Sequence, residues 1–190
     1  MGWRIAALSV ILLVILNAFI GCSLPPEGSP EWYFNQADEL ASQGRYEEAI
    51  EEYSKVIEAN ATTTTKVKAY TNRAAAYLAL ECYDEAIADY TEAIALDSER
   101  TSAYTGRAAA YYAKGEYEIT IIDCIRAISI DPHNTYAYFN RGLAYKELGM
   151  NIEAISDFEE SIALTDNQQL RERATHEIEE LSGEEIGEAD

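Results

Sequence analysis

An eight-residue phrase returns three times at a fixed distance. It reads "YTNRAAAY" at Tyr70–Tyr77, "YTGRAAAY" at Tyr104–Tyr111 and "YFNRGLAY" at Tyr138–Tyr145. Arg73, Arg107 and Arg141 are therefore 34 residues apart at each step. A period of this size specifies a stack of like units, each burying one face on its neighbour, and not one closed globular core. A second phrase keeps the same beat. "RYEEAIEEY", "CYDEAIADY", "EYEITIIDC" and "MNIEAISDF" begin at Arg45, Cys82, Glu116 and Met150, at intervals of 37, 34 and 34 residues.

Each unit holds two helical patterns. Tyr70, Ala74 and Tyr77 fall at i, i+4 and i+7, one face of a helix, and Ala86, Tyr90, Ala93 and Ile94 form the stripe that answers it. Gly44, Gly115 and Gly149 mark the joints, where a helix must stop. The small residues Ala37, Ala74, Ala108 and Gly142 let the paired helices approach closely.

This pattern resembles the tetratricopeptide repeat, a helix–turn–helix unit of 34 residues. The small eighth residue is present in all four units. The alanine at position twenty is Ala49, Ala86 and Ala154, with Thr120 as the exception. The aromatic at twenty-four is Tyr53, Tyr90 and Phe158, with Cys124 in the third unit. The closing proline survives only as Pro132, and Glu81 stands where a turn glycine is usual. The resemblance implies an all-α, right-handed α-solenoid over 30–166, with units 30–66, 67–100, 101–134 and 135–166. The extra residues between the first two units fall in "NATTTTKV", read as a loop. Leu170, Ala174, Ile178 and Leu181 share one face, so 167–182 is expected to be a capping helix, followed by an acidic tail over 183–190.

The arginines occupy position seven, and acids occupy position twenty-three: Glu52, Asp89, Asp123 and Asp157. Unit one has an acid but Gln36 in place of arginine. That offset suggests pairing with the acid of the preceding unit: Arg73–Glu52, Arg107–Asp89, Arg141–Asp123 and, on the capping helix, Arg173–Asp157. Such a ladder would set register. The competing reading has the arginine stems lying along the surface.

The first thirty residues follow other rules. "MGWR" precedes an almost wholly apolar run, Ile5–Ile20, the layout of an export signal over 1–21. Sixteen residues is short of the roughly 20 needed to span a bilayer. "FIGC" resembles a bacterial lipobox, with Phe19 where leucine is usual, and makes Cys22 the expected lipid-attachment site. The alternative is an uncleaved signal anchor. "SLPPEGSP" then reads as a tether, 22–29 with the cysteine. Either reading puts the body outside the cytoplasm, anchored to a membrane. Cys82 near a turn and Cys124 within a helix are expected to remain unbonded thiols.

A formal charge of −20, from 34 acids and 14 bases, excludes a phosphate-binding surface, so no nucleic acid is expected as a partner. No nucleophile motif, phosphate loop or metal spacing occurs, and neither enzyme activity, metal nor cofactor is expected. The family resemblance implies that the first helices line a concave groove for peptides. Its expected lining includes Phe34, Asn35, Asp38, Thr71, Asn72, Ala75, Thr105, Tyr112, Tyr136, Phe139, Asn140 and Leu143. The chaperone-tail clamp of eukaryotic co-chaperones requires cations and amides at positions that here hold Phe34, Asp38, Asn72, Ser102 and Gly106, of which only Asn72 matches. The expected function is a lipid-anchored, extracytoplasmic adaptor or scaffold that binds proteins or peptides in envelope assembly or a surface complex. The alternative is a carrier of a lipid or small apolar ligand in the groove.

Overall fold

The computed structural model describes residues 24–187, with side chains to Gly183. The expected signal segment, 1–21, and Cys22 lie outside the described residues. Among the described residues the structure is all helix, a solenoid of hairpins. The hairpins are α1 (Pro30–Ser42) with α2 (Tyr46–Glu58), α3 (Thr63–Ala79) with α4 (Tyr83–Leu96), α5 (Thr101–Ala113) with α6 (Tyr117–Ile130), and α7 (Thr135–Glu147) with α8 (Asn151–Leu164). A further helix, α9 (Gln168–Gly187), closes the stack. None of these helices is long and apolar enough to cross a membrane.

Local chemistry sets the boundaries. Ser29 Oγ accepts from the Trp32 N–H at 3.2 Å. With Pro30 at the first helical position, this cap starts α1. Between paired helices the chain enters the left-handed region at Gly44, Gly115 and Gly149. Glu81 adopts the same conformation, with φ 60°, but without a glycine's freedom. The "NATTTTKV" stretch is not a loop throughout. Thr62 caps α3 by accepting from the Thr65 N–H, so the threonines that follow it form an additional first turn. Capping chemistry outweighs the low helix propensity of threonine here. The last helix likewise continues beyond Ser182 to Gly187, through residues that the sequence assigns to an acidic tail.

Packing follows a small-against-large rule. Tyr53, Tyr90 and Phe158 are buried against the small residues of the partner helices. A Cβ on Gly142 would lie 2.8 Å from the Phe158 ring. That approach requires glycine, since a methyl group there would force the ring aside. Cys124 fills the equivalent slot of unit three, and burial pushes its thiol pKa up to about 12. Both Cys82 and Cys124 are free thiols.

The arginines pair within their own unit, not with the one before. Arg73 forks onto Asp89 at 2.7 and 2.8 Å, Arg107 onto Asp123 at 2.8 Å for both bonds, and Arg141 onto Asp157 at 2.7 and 2.8 Å. The expected pairs with Glu52, Asp89 and Asp123 of the preceding units do not form. Positions seven and twenty-three face each other across the antiparallel hairpin. What the preceding unit offers is a hydroxyl: Arg73 donates to Ser54 Oγ at 2.7 Å, and Arg107 to Thr91 Oγ1 at 3.0 Å. The offset in the sequence has another origin. Unit one lacks the arginine, and Glu52 bonds Lys55 with one oxygen while the other is buried without a partner. Arg173 does not reach Asp157, which Arg141 already occupies. It lies over the Phe139 ring, 4.7 Å from the centroid.

The recurring phrase acquires a physical meaning from these contacts. Its tyrosines stand three before and four after the arginine, on the same helix face. Arg73 lies over Tyr70 and Tyr77, and Arg141 over Tyr138 and Tyr145, at 5.5–6.0 Å from ring centroids. Arg107 lies over Tyr104 at 5.8 Å. The guanidinium is held by ring faces while its fork satisfies a buried carboxylate.

The capping helix is held by apolar contacts of Leu170, Ala174 and Leu181 with Phe139 and Phe158, and by charge. Lys146 donates to Glu177 and Glu180 at 2.6 Å each. Hydrogen bonds to Glu177 and then Glu180 raise the Lys146 pKa, and the bond from Lys146 lowers that of Glu180.

Two outcomes follow from these contacts. In a double-mutant cycle on thermal or denaturant unfolding, Arg107 and Asp123 should couple by roughly 1–3 kcal/mol, whereas Arg107 and Asp89 should couple by less than about 0.5 kcal/mol. The reverse ordering would restore the inter-unit ladder. For the cap, the lowered Glu180 pKa means its contribution is present above about pH 4.3 and fades as pH falls through the depressed value. The raised Lys146 pKa means its contribution is full below about pH 10.4 and fades as pH rises through the raised value. Protection factors over residues 174–183, corrected for the intrinsic pH dependence of amide exchange, should therefore be highest between these limits, and Lys146→Met should remove most of the difference between pH 7 and pH 3. Equal protection in parent and variant would show that apolar packing alone holds α9.

Candidate functional site

The first helices of adjacent units touch one another, α1 with α3, α3 with α5 and α5 with α7, while the second helices make no comparable contact. The first helices therefore line the inner face. Two hollows open on it.

One lies between α5 and α7, with a volume of about 510 Å³. Its floor is small and neutral: Ser102, Thr105, Gly106 and Ala109. Its walls are Tyr136, Asn134 and Asn140, with Asp131 at the rim. Tyr136 is 54% exposed, although most aromatic side chains of the array are packed. Glycine is required in this floor at Gly106, because the Tyr90 ring of the preceding unit lies 2.3 Å from where a Cβ would stand and leaves no room for a side chain. Asn140 donates to the Thr105 carbonyl at 3.4 Å, and Asn134 donates to Thr105 Oγ1 at 3.2 Å. These bonds fix both side chains; the Asn134 carbonyl oxygen caps α7 by accepting from the Ala137 N–H at 2.9 Å, so of the two amides only Asn140 keeps a carbonyl oxygen without a donor among the described residues.

The second hollow lies between α1 and α3, about 350 Å³, lined by Asp38, Ala41, Tyr46, Tyr53, Asn72, Ala75 and Ala79. Asp38 is its hub. The carboxylate accepts from Tyr53 Oη and from Asn72 Nδ2, the latter at 2.9 Å. Burial, then the hydrogen bond to Asp38, raises the Tyr53 pKa well above the ordinary phenol value.

The structure thus collects Asp38, Asn72 and Ala75 in one hollow and Thr105, Tyr136 and Asn140 in the other. Asn35 is exposed at the first helix, and Phe34 is half-buried with its edge toward Tyr53 at 5.8 Å. Tyr112 is half-buried beside Tyr117 and donates to Glu147 at 3.1 Å; burial and then Glu147 push its pKa up to about 12. Three expected lining residues belong elsewhere. Phe139 is 2% exposed and packs on Phe158 beneath α9. Leu143 packs against the same cluster. Thr71 is buried, and its hydroxyl bonds back to the Val67 carbonyl at 2.8 Å. The capping helix takes the place of a following unit and covers the surface that Phe139 and Leu143 would have presented. Sequence reasoning missed Asn134 and Asp131, which reach the hollow from the turn before α7. It also missed Tyr46 and Tyr53, whose second-helix stripe reads as core. The Asp-Pro-His-Asn turn was the available signal for the first pair.

The charges of this face do not favour an anion. Lys146 is committed to Glu177 and Glu180, whereas Asp38 and Glu147 are acidic. Among the described residues no group of three His, Cys, Asp or Glu side chains is arranged to hold a metal ion.

Comparison with known proteins places this architecture. Models of the tetratricopeptide repeat match residues 30–62, 67–99 and 124–156. The first two coincide with the first two hairpins; the third runs from the second half of α6 to the middle of α8, so it is out of phase with the hairpins. The chain is 39% identical over 87 residues to serine/threonine-protein phosphatase 5 of Rattus norvegicus, which covers 41% of this chain but 17% of that protein. It is 39% identical over 64 residues to the mitochondrial import receptor subunit TOM34 of Homo sapiens, covering 34% of this chain and 20% of the relative. The chain thus spans about a fifth or less of the length of these relatives. The first TPR of Spaghetti (RPAP3), solved bound to an HSP90 peptide SRMEEVD, superposes with a TM-score of 0.59 at 29% identity, over 64% of this chain and 94% of that one. The structure of MamA superposes with a TM-score of 0.62 at 22% identity, over 80% of this chain and 96% of that one, a likeness of fold alone. The hairpin stack is therefore a run of tetratricopeptide repeats, and the chain belongs to the family of proteins built from them.

Proposed function

We propose that the protein is a non-enzymatic adaptor that binds an extended, uncharged or weakly basic peptide segment of a partner protein along its inner face. The observation that carries this reading is the hollow between α5 and α7. It combines an exposed aromatic side chain, a floor of small residues and the Asn140 amide, whose carbonyl oxygen has no donor among the described residues. That combination suits a peptide backbone with one apolar side chain inserted beside Tyr136. The RPAP3 domains solved with HSP90 and HSP70 peptides support peptide binding by this architecture. The ligand differs in kind. Those peptides end in the acidic sequence EEVD, and the inner face here offers no free cation cluster, among the described residues, to meet it.

The same proposal places the adaptor outside the cytoplasm, held by a lipid on Cys22. Its support is the sequence alone: the apolar run Ile5–Ile20, "FIGC" and the short tether. Envelope assembly or a surface complex is the setting such an anchor suits.

Capture of the native partner should fall at least about tenfold, some 1.4 kcal/mol, in Tyr136→Ser and Asn140→Ala, with helical content unchanged. Raising salt should change capture little, since screening acts on exposed charge pairs. Capture that collapses in salt but ignores both substitutions would move the binding site to the acidic outer face. A small apolar molecule co-purifying with the parent and lost from Tyr136→Ser would favour the carrier reading. Separately, Cys22→Ala should abolish metabolic labelling with a radioactive fatty acid and leave the precursor uncleaved; labelling that persists in the variant would remove the anchor.

A further inference from the structure

Apart from Ile152 at the start of α8, 78% exposed, the outer helices of the other units show no exposed isoleucine among the described residues, and unit three departs from them at three positions. At positions nineteen, twenty-two and twenty-five of the second helix, unit one carries Glu48, Glu51 and Ser54, unit two Glu85, Ala88 and Thr91, and unit four Glu153, Ser156 and Glu159. Unit three carries Ile119, Ile122 and Ile125, which are 39%, 63% and 48% exposed. Ile125 also stands where Ser54 and Thr91 accept from the arginine of the next unit. The exchange gives up a polar contact within the chain for apolar surface left in water, so nothing in the monomer accounts for it.

Charge changes at the same place. Helices α2, α4 and α8 each carry four more acids than bases, whereas α6 carries two acids, Glu118 and Asp123, and one base, Arg126. Asp123 is already neutralised by Arg107. In a chain of formal charge −20, α6 is the second helix on which another copy meets least repulsion.

The pattern is also symmetric. Ile119 and Ile125 lie three residues either side of Ile122, and Glu118 and Arg126 lie four residues either side. At 3.6 residues per turn all five fall within about 60° of Ile122 around the helix. Glu118, Ile122 and Arg126 form one i±4 row, the kind of ridge that packs against its like at an interaxial angle of about 50°. Laid antiparallel on a second copy, that row puts Ile122 on Ile122 at the centre and Glu118 against the copy's Arg126 at both ends. A surface that meets itself with charges paired and apolar residues matched is what a two-fold interface requires. Arg126 is available for it: its side chain is 46% exposed, 4.0 Å from Glu99 and 5.9 Å from the Tyr104 ring centroid. Glu118 is exposed and joins no ion pair among the described residues.

We infer that α6 is a self-association surface through which two copies of this chain dimerise antiparallel about Ile122. One helix face is a small contact, so the dimer is weak and forms at high local concentration. The inner face stays open in both copies.

The test uses the full chain in a non-ionic detergent, followed by sedimentation velocity across a concentration series. The parent should dimerise reversibly. Ile122→Glu should raise the dimer Kd at least about tenfold. Glu118→Arg and Arg126→Glu should each weaken the dimer, because each sets like charges face to face, and the double variant Glu118→Arg/Arg126→Glu should recover the parent Kd. Circular dichroism confirms that the exposed substitutions leave the helices intact. A parent that stays monomeric up to about 1 mM, the weak end of specific association, overturns the proposal and leaves the stripe to a different protein. A dimer indifferent to Ile122→Glu overturns it in favour of association through the N-terminal apolar segment, and a double variant no better than the singles overturns the antiparallel register.

Discussion

A buried carboxylate on each of three second helices is the constraint around which the array is arranged. Asp123 is 3% exposed, Asp157 5% and Asp89 6%. A charge so placed is tolerated only with a partner that fills its hydrogen-bonding capacity. The arginine sixteen residues earlier does this with both prongs of its fork. It can arrive only if the helix that carries it packs antiparallel at the right height, so the ion pair fixes the height of one helix on the other. The tyrosines either side of the arginine then become walls for a cation and not merely apolar bulk. Unit one shows the alternative. With glutamine at position seven, the longer Glu52 turns one oxygen to Lys55 and leaves the other buried without a partner.

Much of this was legible in the sequence, because repetition multiplies a weak signal. A single Tyr-Thr-Asn-Arg phrase means little; three in phase, answered by a second phrase at constant distance, specify hairpins, a stack and a cap. What could not be read was which of two nearby acids an arginine meets. Positions twenty-three of the same and of the preceding unit recur with the same period, so periodicity cannot separate them. The absent arginine of unit one pointed to the wrong choice. Phe139 failed for a different reason. At the same position Thr105 of unit three lines a hollow, Thr71 of unit two is buried, and in the last unit the capping helix lies against Phe139. Position within a repeat does not by itself assign orientation, because the neighbouring helix decides what is covered. The threonines that open α3 were misjudged because the extra residues between units were read as a loop insertion, without the cap supplied by Thr62.

The inner and outer faces divide the chemistry. Acids crowd the outer helices, while the hollows between inner helices are built from small residues, amides and a few aromatics. The amides serve two ends. Asn72 ties α3 to α1 and Asn140 ties α7 to α5, whereas α5 carries Gly106 at the same position, against the Tyr90 ring. Within each hollow, register and recognition are thus held by the same side chain.

The sixteen-residue separation within each arginine–aspartate pair bears on how the chain acquires its structure. Contacts that close short loops cost little chain entropy, and a topology made of them folds quickly. Because each pair is complete inside one hairpin, ordering can begin at any of units two to four and propagate as neighbours bury their faces on it. Unit one has no such pair and joins α3 through an additional helical turn, so it is placed to be the last hairpin to settle. It is also the hairpin that follows the N-terminal segment, so the end of the stack that lacks an arginine–aspartate pair is the end joined to that segment.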